Sequence, residues 1–106
     1  SSGNSFVHET ESQVILNGSY NINFTMDLVL KDTGLFDNLA GKLNAPLEIS
    51  PKIVEIFKDG QKKYGSRAWS SMIVKRMEDL NKIDFRADGF PEELVDNEPE
   101  EKGYEI

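Results

Sequence analysis

In the stretch NFTMDLVLKDTGLF a lysine and an aspartate, Lys31 and Asp32, stand side by side in an apolar window of Leu28, Val29, Leu30, Leu35 and Phe36. Charges in such a window depart from the usual division of a helix into an apolar stripe and a polar face. Phe24 precedes Lys31 by seven residues. At about 100° per residue the two fall within about 20° of each other on a helix, with Asp32 about 100° further round. Two chemistries fit this arrangement. A surface ion pair would be worth about 0–1 kcal/mol. A cation aimed at an anionic ligand, beside a carboxylate that orients it, would instead make a binding site. Spacing alone does not choose between them.

Other chemistry finds little material. His8 is the only histidine and there is no cysteine, so neither a histidine-pair nor a thiolate metal site is expected. A Ser-His-Asp triad would rest wholly on His8. The glycines form no phosphate-cradling loop. The adjacent acids Glu78-Asp79 and Glu92-Glu93 would point apart on a helix. Lys62, Lys63, Arg67, Lys75 and Arg76 could attract a phosphate but read better as a solvated face. No catalytic residue and no metal ligand set is therefore expected in this chain.

Charge narrows the partners. Residues 91–106 carry seven carboxylates against one lysine, whereas residues 1–90 carry 12 acidic and 11 basic side chains. A nearly neutral body argues against nucleic acid, which needs clustered cations to displace counterions. No apolar run approaches the ~20 residues that span a bilayer, so no membrane partner is expected. The start, SSGNSFVHETESQ, lacks the basic and apolar regions of a signal peptide. The chain opens on Ser and its first methionine is Met26, which leads us to expect a piece of a longer protein.

The elements that must position Lys31 read as helices with short polar connectors. A short helix is expected over 5–16, broken at Asn17-Gly18. Residues 24–44 give the strongest helical window, with Leu28, Leu35, Leu39 and Leu43 as its core stripe, widened by Phe36 and Ala40, and a stop at Asn44-Ala45-Pro46. Ser50-Pro51 reads as N-cap and first helical residue. The helix it opens is expected to bury Ile53, Val54, Phe57 and Tyr64 and to end at Gly65. Ser66 or Ser70 should cap a last helix facing inward through Trp69, Met72, Ile73, Met77 and Leu80. Beyond Ile83, Phe85, Phe90 and Leu94 are isolated apolar anchors in an acidic segment, read as a solvated extension pinned at Phe85 and Phe90. The fold class is thus all-α, a helical bundle-like domain over residues 1–90 with an extended acidic tail over 91–106.

The order Phe24, Leu28, Lys31, Asp32, Gly34, Leu35 resembles the helix signature of the C-terminal domain of β-hydroxyacid dehydrogenases, the family of 3-hydroxyisobutyrate dehydrogenase, tartronate semialdehyde reductase and glyoxylate reductase. SSGNSF (Ser1 to Phe6) is similar to that domain's S-S-G segment. APLEISPKIVEIFKDGQKKYG resembles its A/V-P-L-P-L helix start, with Glu48 where a second proline is common. The end, from RAWSSMIVKRMED to EKGYEI, is similar to the C-terminal extension of one bacterial branch of NAD(P)-dependent oxidoreductases. Thr33 departs from the apolar residue usual after Lys-Asp, and Phe6 from a common Trp or Cys.

The resemblance implies a fold like the C-terminal domain of 6-phosphogluconate dehydrogenase, serving substrate binding and dimerisation, with its first long helix absent. It implies a parent enzyme that moves a hydride between NAD or NADP and a small hydroxy acid. Lys31 would reach the cofactor across the cleft, and Phe24 and Asp32 would line the cleft near cofactor and substrate. The family's catalytic lysine and G-x-G-x-x-G turn have no counterpart here, so the chain alone is expected to be inactive. A homo-oligomer and a cytoplasmic location are also expected. The alternative is a stand-alone helical module for protein interaction or oligomerisation.

Overall fold

The computed structural model describes residues 3–92, 95 and 103, and within them the domain is all-helical. Four α-helices follow one another, α1 (Phe6–Leu16), α2 (Met26–Lys42), α3 (Ser50–Tyr64) and α4 (Lys75–Asn81), the last entered through a 3₁₀ segment, Ser70–Val74.

Local chemistry sets most boundaries. The Ser5 hydroxyl caps α1 by accepting the His8 N–H at 3.0 Å, satisfying one of the donors a helix start leaves open. Asn17 closes it and Gly18, at φ +81°, turns the chain away. Helix α3 stops at Gly65, φ +103°, and α4 at Lys82 in the left-handed region, where the Ile83 N–H returns to the Glu78 carbonyl at 3.1 Å.

Helix α2 starts differently. It begins at Met26, not at Phe24, and no side chain caps it. Its first donors are taken by a segment far along the chain, just after α3: the Met26 N–H donates to the Ala68 carbonyl at 2.9 Å and the Asp27 N–H to the Ser66 carbonyl at 3.0 Å. The Ser70 N–H donates to the Phe24 carbonyl at 2.7 Å, and Thr25 and Trp69 form an isolated antiparallel bridge. This clasp anchors the start of α2 to the entry of the 3₁₀ segment.

Helices α2 and α3 run antiparallel. Met26, fully buried, meets Gly60 at one end of the pair, while the Ser50 hydroxyl donates to Asp37 at 2.5 Å nearer the other. A Cβ on Gly60 would lie 2.7 Å from Ile73 Cδ1 and 3.1 Å from Met26 Sδ. The missing side chain lets α2, α3 and the 3₁₀ segment close on one another.

Several expectations are corrected. The stripe Leu28, Leu35, Leu39, Leu43 is not core; these residues and Phe36 are exposed, and Met26 and Ala40 are buried instead. Ser50 is the first residue of α3, not its cap, because its hydroxyl is spent on Asp37 and Ile49 takes the cap position. In α3 only Gly60 is buried; Ile53 is exposed, and Val54, Phe57 and Tyr64 are half-buried. Neither Ser66 nor Ser70 caps a helix: the Ser66 hydroxyl accepts from Gln61 at 2.7 Å, and the Ser70 amide is tied to Phe24. Met77 and Leu80 face outward, and the buried side chain of α4 is Glu78, which accepts from the Tyr20 hydroxyl. The segment after Ile83 is held by more than Phe85 and Phe90, since polar side chains of α1 bind its main chain as far as Val95. Leu94 and most of the acidic run 91–106 lie outside the described residues.

Candidate functional site

Lys31 and Asp32 are both exposed on α2. At about 100° per residue they fall on either side of the line Leu28, Leu35, Leu39, within about 60° of it. The buried face of the helix, carrying Met26 and Ala40, is turned the other way. The pair is therefore set into an open apolar surface. Leu35 and Leu39 are 61% and 55% exposed, and no ion pair among the described residues involves Lys31 or Asp32. The surface ion pair is not formed.

Phe24 does not share this helix face, because α2 starts after it, at Met26. Its side chain is 38% exposed and its carbonyl is fixed by Ser70. The clasp, not helical periodicity, sets its position beside the start of α2.

The carboxylate at the head of α2 is Asp27, one turn before Lys31. The Thr25 hydroxyl donates to it, Arg67 Nη1 lies 3.3 Å away, and the Leu28 N–H donates to it at 2.9 Å. The Thr25 bond first, and the Arg67 guanidinium after it, hold the Asp27 carboxyl below the ordinary carboxylate range, because both favour its charged form. A negative charge in the first turn also suits the helix dipole. The Asp27–Arg67 contact joins the head of α2 to the connector after α3 and carries no local signal. The Thr-x-Asp spacing was the only hint of this carboxylate in the sequence.

On the Asp32 side the surface continues into an open groove of about 550 Å³ lined by Phe36, Pro46, Leu47, Ile49 and Ile53 among others. Phe36 is one turn on from Asp32 and Ile49 is 72% exposed.

The remaining candidates resolve into structural pairs. Asp59 binds Arg76 at 2.7 Å and Lys63 at 3.4 Å, and Asp79 binds Lys75 at 3.3 Å. With Arg67 on Asp27, all of the suggested phosphate-attracting set except Lys62 is engaged by carboxylates. The Tyr64 hydroxyl donates to Asp79 at 2.7 Å. Burial, with that bond and the Asp79 charge, pushes the Tyr64 phenol up to about 12. The Tyr20 phenol is likewise raised, by burial first and Glu78 second. Nothing in the sequence pointed to the pairing of Tyr20 with Glu78, which are 58 residues apart. Among the described residues no three His, Cys, Asp or Glu side chains are grouped to hold a metal, and no helix is long and apolar enough to cross a membrane.

Residues 1–77 match the protein family described as NAD-binding of NADP-dependent 3-hydroxyisobutyrate dehydrogenase. The match takes in α1 to α3, the clasp and the 3₁₀ segment, and with them Phe24, Lys31 and Asp32. No curated protein and no solved structure matches the chain.

Proposed function

The chain belongs to this NAD-binding family of 3-hydroxyisobutyrate dehydrogenase-like proteins, and from that premise we propose that it is the C-terminal helical domain of an NAD(P)-dependent 3-hydroxyacid dehydrogenase, supplying one wall of the active-site cleft. The observation that carries this reading is the placement of Lys31 and Asp32 on an open apolar face of α2. An exposed cation amid Leu28, Leu35 and Leu39 suits the nicotinamide end of a dinucleotide, which offers an anionic linkage and a flat ring.

When bound, that cofactor gives or accepts a hydride. This chain's residues bind and orient. Lys31 offers charge to the cofactor, and Asp32 and Phe24 line the cleft beside cofactor and substrate. Holding the pyrophosphate, in this reading, falls to a glycine-rich turn of the parent's other domain. The lysine that polarises the substrate oxygen belongs, in the same reading, to the long helix that precedes the S-S-G segment, so this chain turns over no hydroxy acid by itself. The substrate is a small hydroxy acid, the protein is cytoplasmic, and the chain from Arg67 onward is the C-terminal extension of one bacterial branch.

Backbone amide shifts of the labelled chain, followed against millimolar NADH and NADPH, test the assignment. We expect saturable shifts at residues 24–35 and their loss in Lys31→Ala with the helical circular dichroism unchanged. Shifts that survive in Lys31→Ala would remove the lysine from the site. Absorbance at the nicotinamide band, with a panel of hydroxy acids, should show no turnover by the chain alone.

The same face favours a second reading, a helical interaction or oligomerisation module, because exposed apolar side chains running from Leu28 to Ile53 are more than scattered surface residues. The homo-oligomer expected of the parent would use part of it. Sedimentation across a concentration series separates the cases: association with no nicotinamide-dependent shifts would favour the module.

A further inference from the structure

Past residue 77, where the family match ends, the chain folds back over α1. The Ala87 N–H donates to the Leu16 carbonyl at 2.9 Å. Asn17 Nδ2 donates to the carbonyls of Pro91 at 2.7 Å and Glu92 at 3.4 Å. Gln13 engages Val95 twice: its Nε2 donates to the Val95 carbonyl at 2.9 Å, and the Val95 N–H donates to its Oε1 at 3.0 Å. A side-chain amide carries the donor and acceptor of a peptide group, so Gln13 pairs with Val95 as a neighbouring strand would. Gln13 and Asn17 are separated by one helical turn, hence lie on one side of α1.

Every one of these bonds goes to main chain, so none reads the side chains of the segment. The crossing also needs Gly18. A Cβ there would lie 2.2 Å from Arg86 Nε, and its φ of +81° is one that other residues rarely adopt. No deep apolar anchor accompanies the bonds, for Phe90 is 38% and Val95 45% exposed.

We propose that Gln13 and Asn17 form a main-chain-reading surface on α1 and its C-cap, occupied by this chain's own residues 87–92 and 95 as a releasable strap. Its hydrogen bonds are exposed and it buries little apolar surface, so it opens without global unfolding. A second polypeptide segment of extended main chain competes for the same surface. The strap is independent of the dehydrogenase reading, since Phe24, Lys31 and Asp32 take no part in it.

Native-state amide exchange on the full labelled chain tests this. Ala87 and Val95 should exchange about tenfold or more slowly than in an unfolded chain. Gln13→Ala should abolish the protection of Val95 and leave that of α2 unchanged, which controls for folding. Adding an unlabelled peptide of residues 84–96 should speed exchange at Val95 as the strap is displaced. Val95 exchanging at the unfolded rate in the unaltered chain would overturn the strap, as would protection that survives Gln13→Ala. Indifference to millimolar peptide would overturn the competition. Protection that grows with protein concentration would overturn the cis arrangement and assign the segment to exchange between copies.

Discussion

The two faces of α2 both carry apolar side chains and meet different fates. On one, Met26 and Ala40 are buried, and Met26 lies with Ile73 of the 3₁₀ segment so close to α3 that Gly60 has no room for a methyl group. On the other, Leu28, Leu35, Phe36 and Leu39 stand exposed around Lys31 and Asp32. A helix that needed its apolar residues only for folding would not leave the longer stripe in water. The first face answers to the stability of this chain, and the second to something the chain meets. The family to which the domain belongs makes a nicotinamide dinucleotide the leading candidate for part of that surface.

Substitutions that treat the faces alike should therefore have unlike effects. Met26→Ala removes a fully buried side chain and should cost about 2–5 kcal/mol in a urea melt. Gly60→Ala forces Ile73 and Met26 apart and should cost about 1–3 kcal/mol. Leu35→Ser, on the exposed stripe, should change stability by within about 0.5 kcal/mol while reducing any self-association seen by sedimentation. A loss as large as that of Gly60→Ala would mean the stripe is buried in solution, and the comparison of faces would break.

The smallest expected effect is a pH dependence at the α3–α4 contact. The Tyr64 bond and the Lys75 ammonium hold the Asp79 carboxyl below its ordinary range, and the Arg76 bond, reinforced by Lys63, does the same for Asp59. Their contributions are present above the usual carboxylate value of about 4 and fade as pH falls through the lowered values. The Tyr64 phenol moves oppositely. Raised to about 12, it contributes fully below the ordinary phenol value of about 10 and fades as pH rises through 12. Melts of Tyr64→Phe across the alkaline limb should lack that fading. An unchanged limb would place it elsewhere, and Tyr20, raised by burial and Glu78, would be the next candidate.

Much of the fold was legible because it is local. Asn17-Gly18 as stop and Gly65 as terminator act within a few residues of themselves, and the structure keeps both. The Lys31-Asp32 pair was visible because it interrupts an apolar window, a purely sequential anomaly. Its expected companion Phe24 was placed by helical periodicity that does not extend to it. The start of α2 is capped by carbonyls of Ser66 and Ala68, and no local signal records partners that lie beyond the whole of α3.

The sequence by itself determined where helices can run and that Lys31 sits among leucines, since propensity, caps and spacing act at short range. Only the tertiary structure decided which of two apolar stripes is core. That choice rests on close approach, and Gly60 permits it on one face of α2 only. The burial of Glu78 under Tyr20 and the binding of Val95 by Gln13 were likewise decided in three dimensions, because a buried or bound polar group needs a partner that the chain supplies from far away.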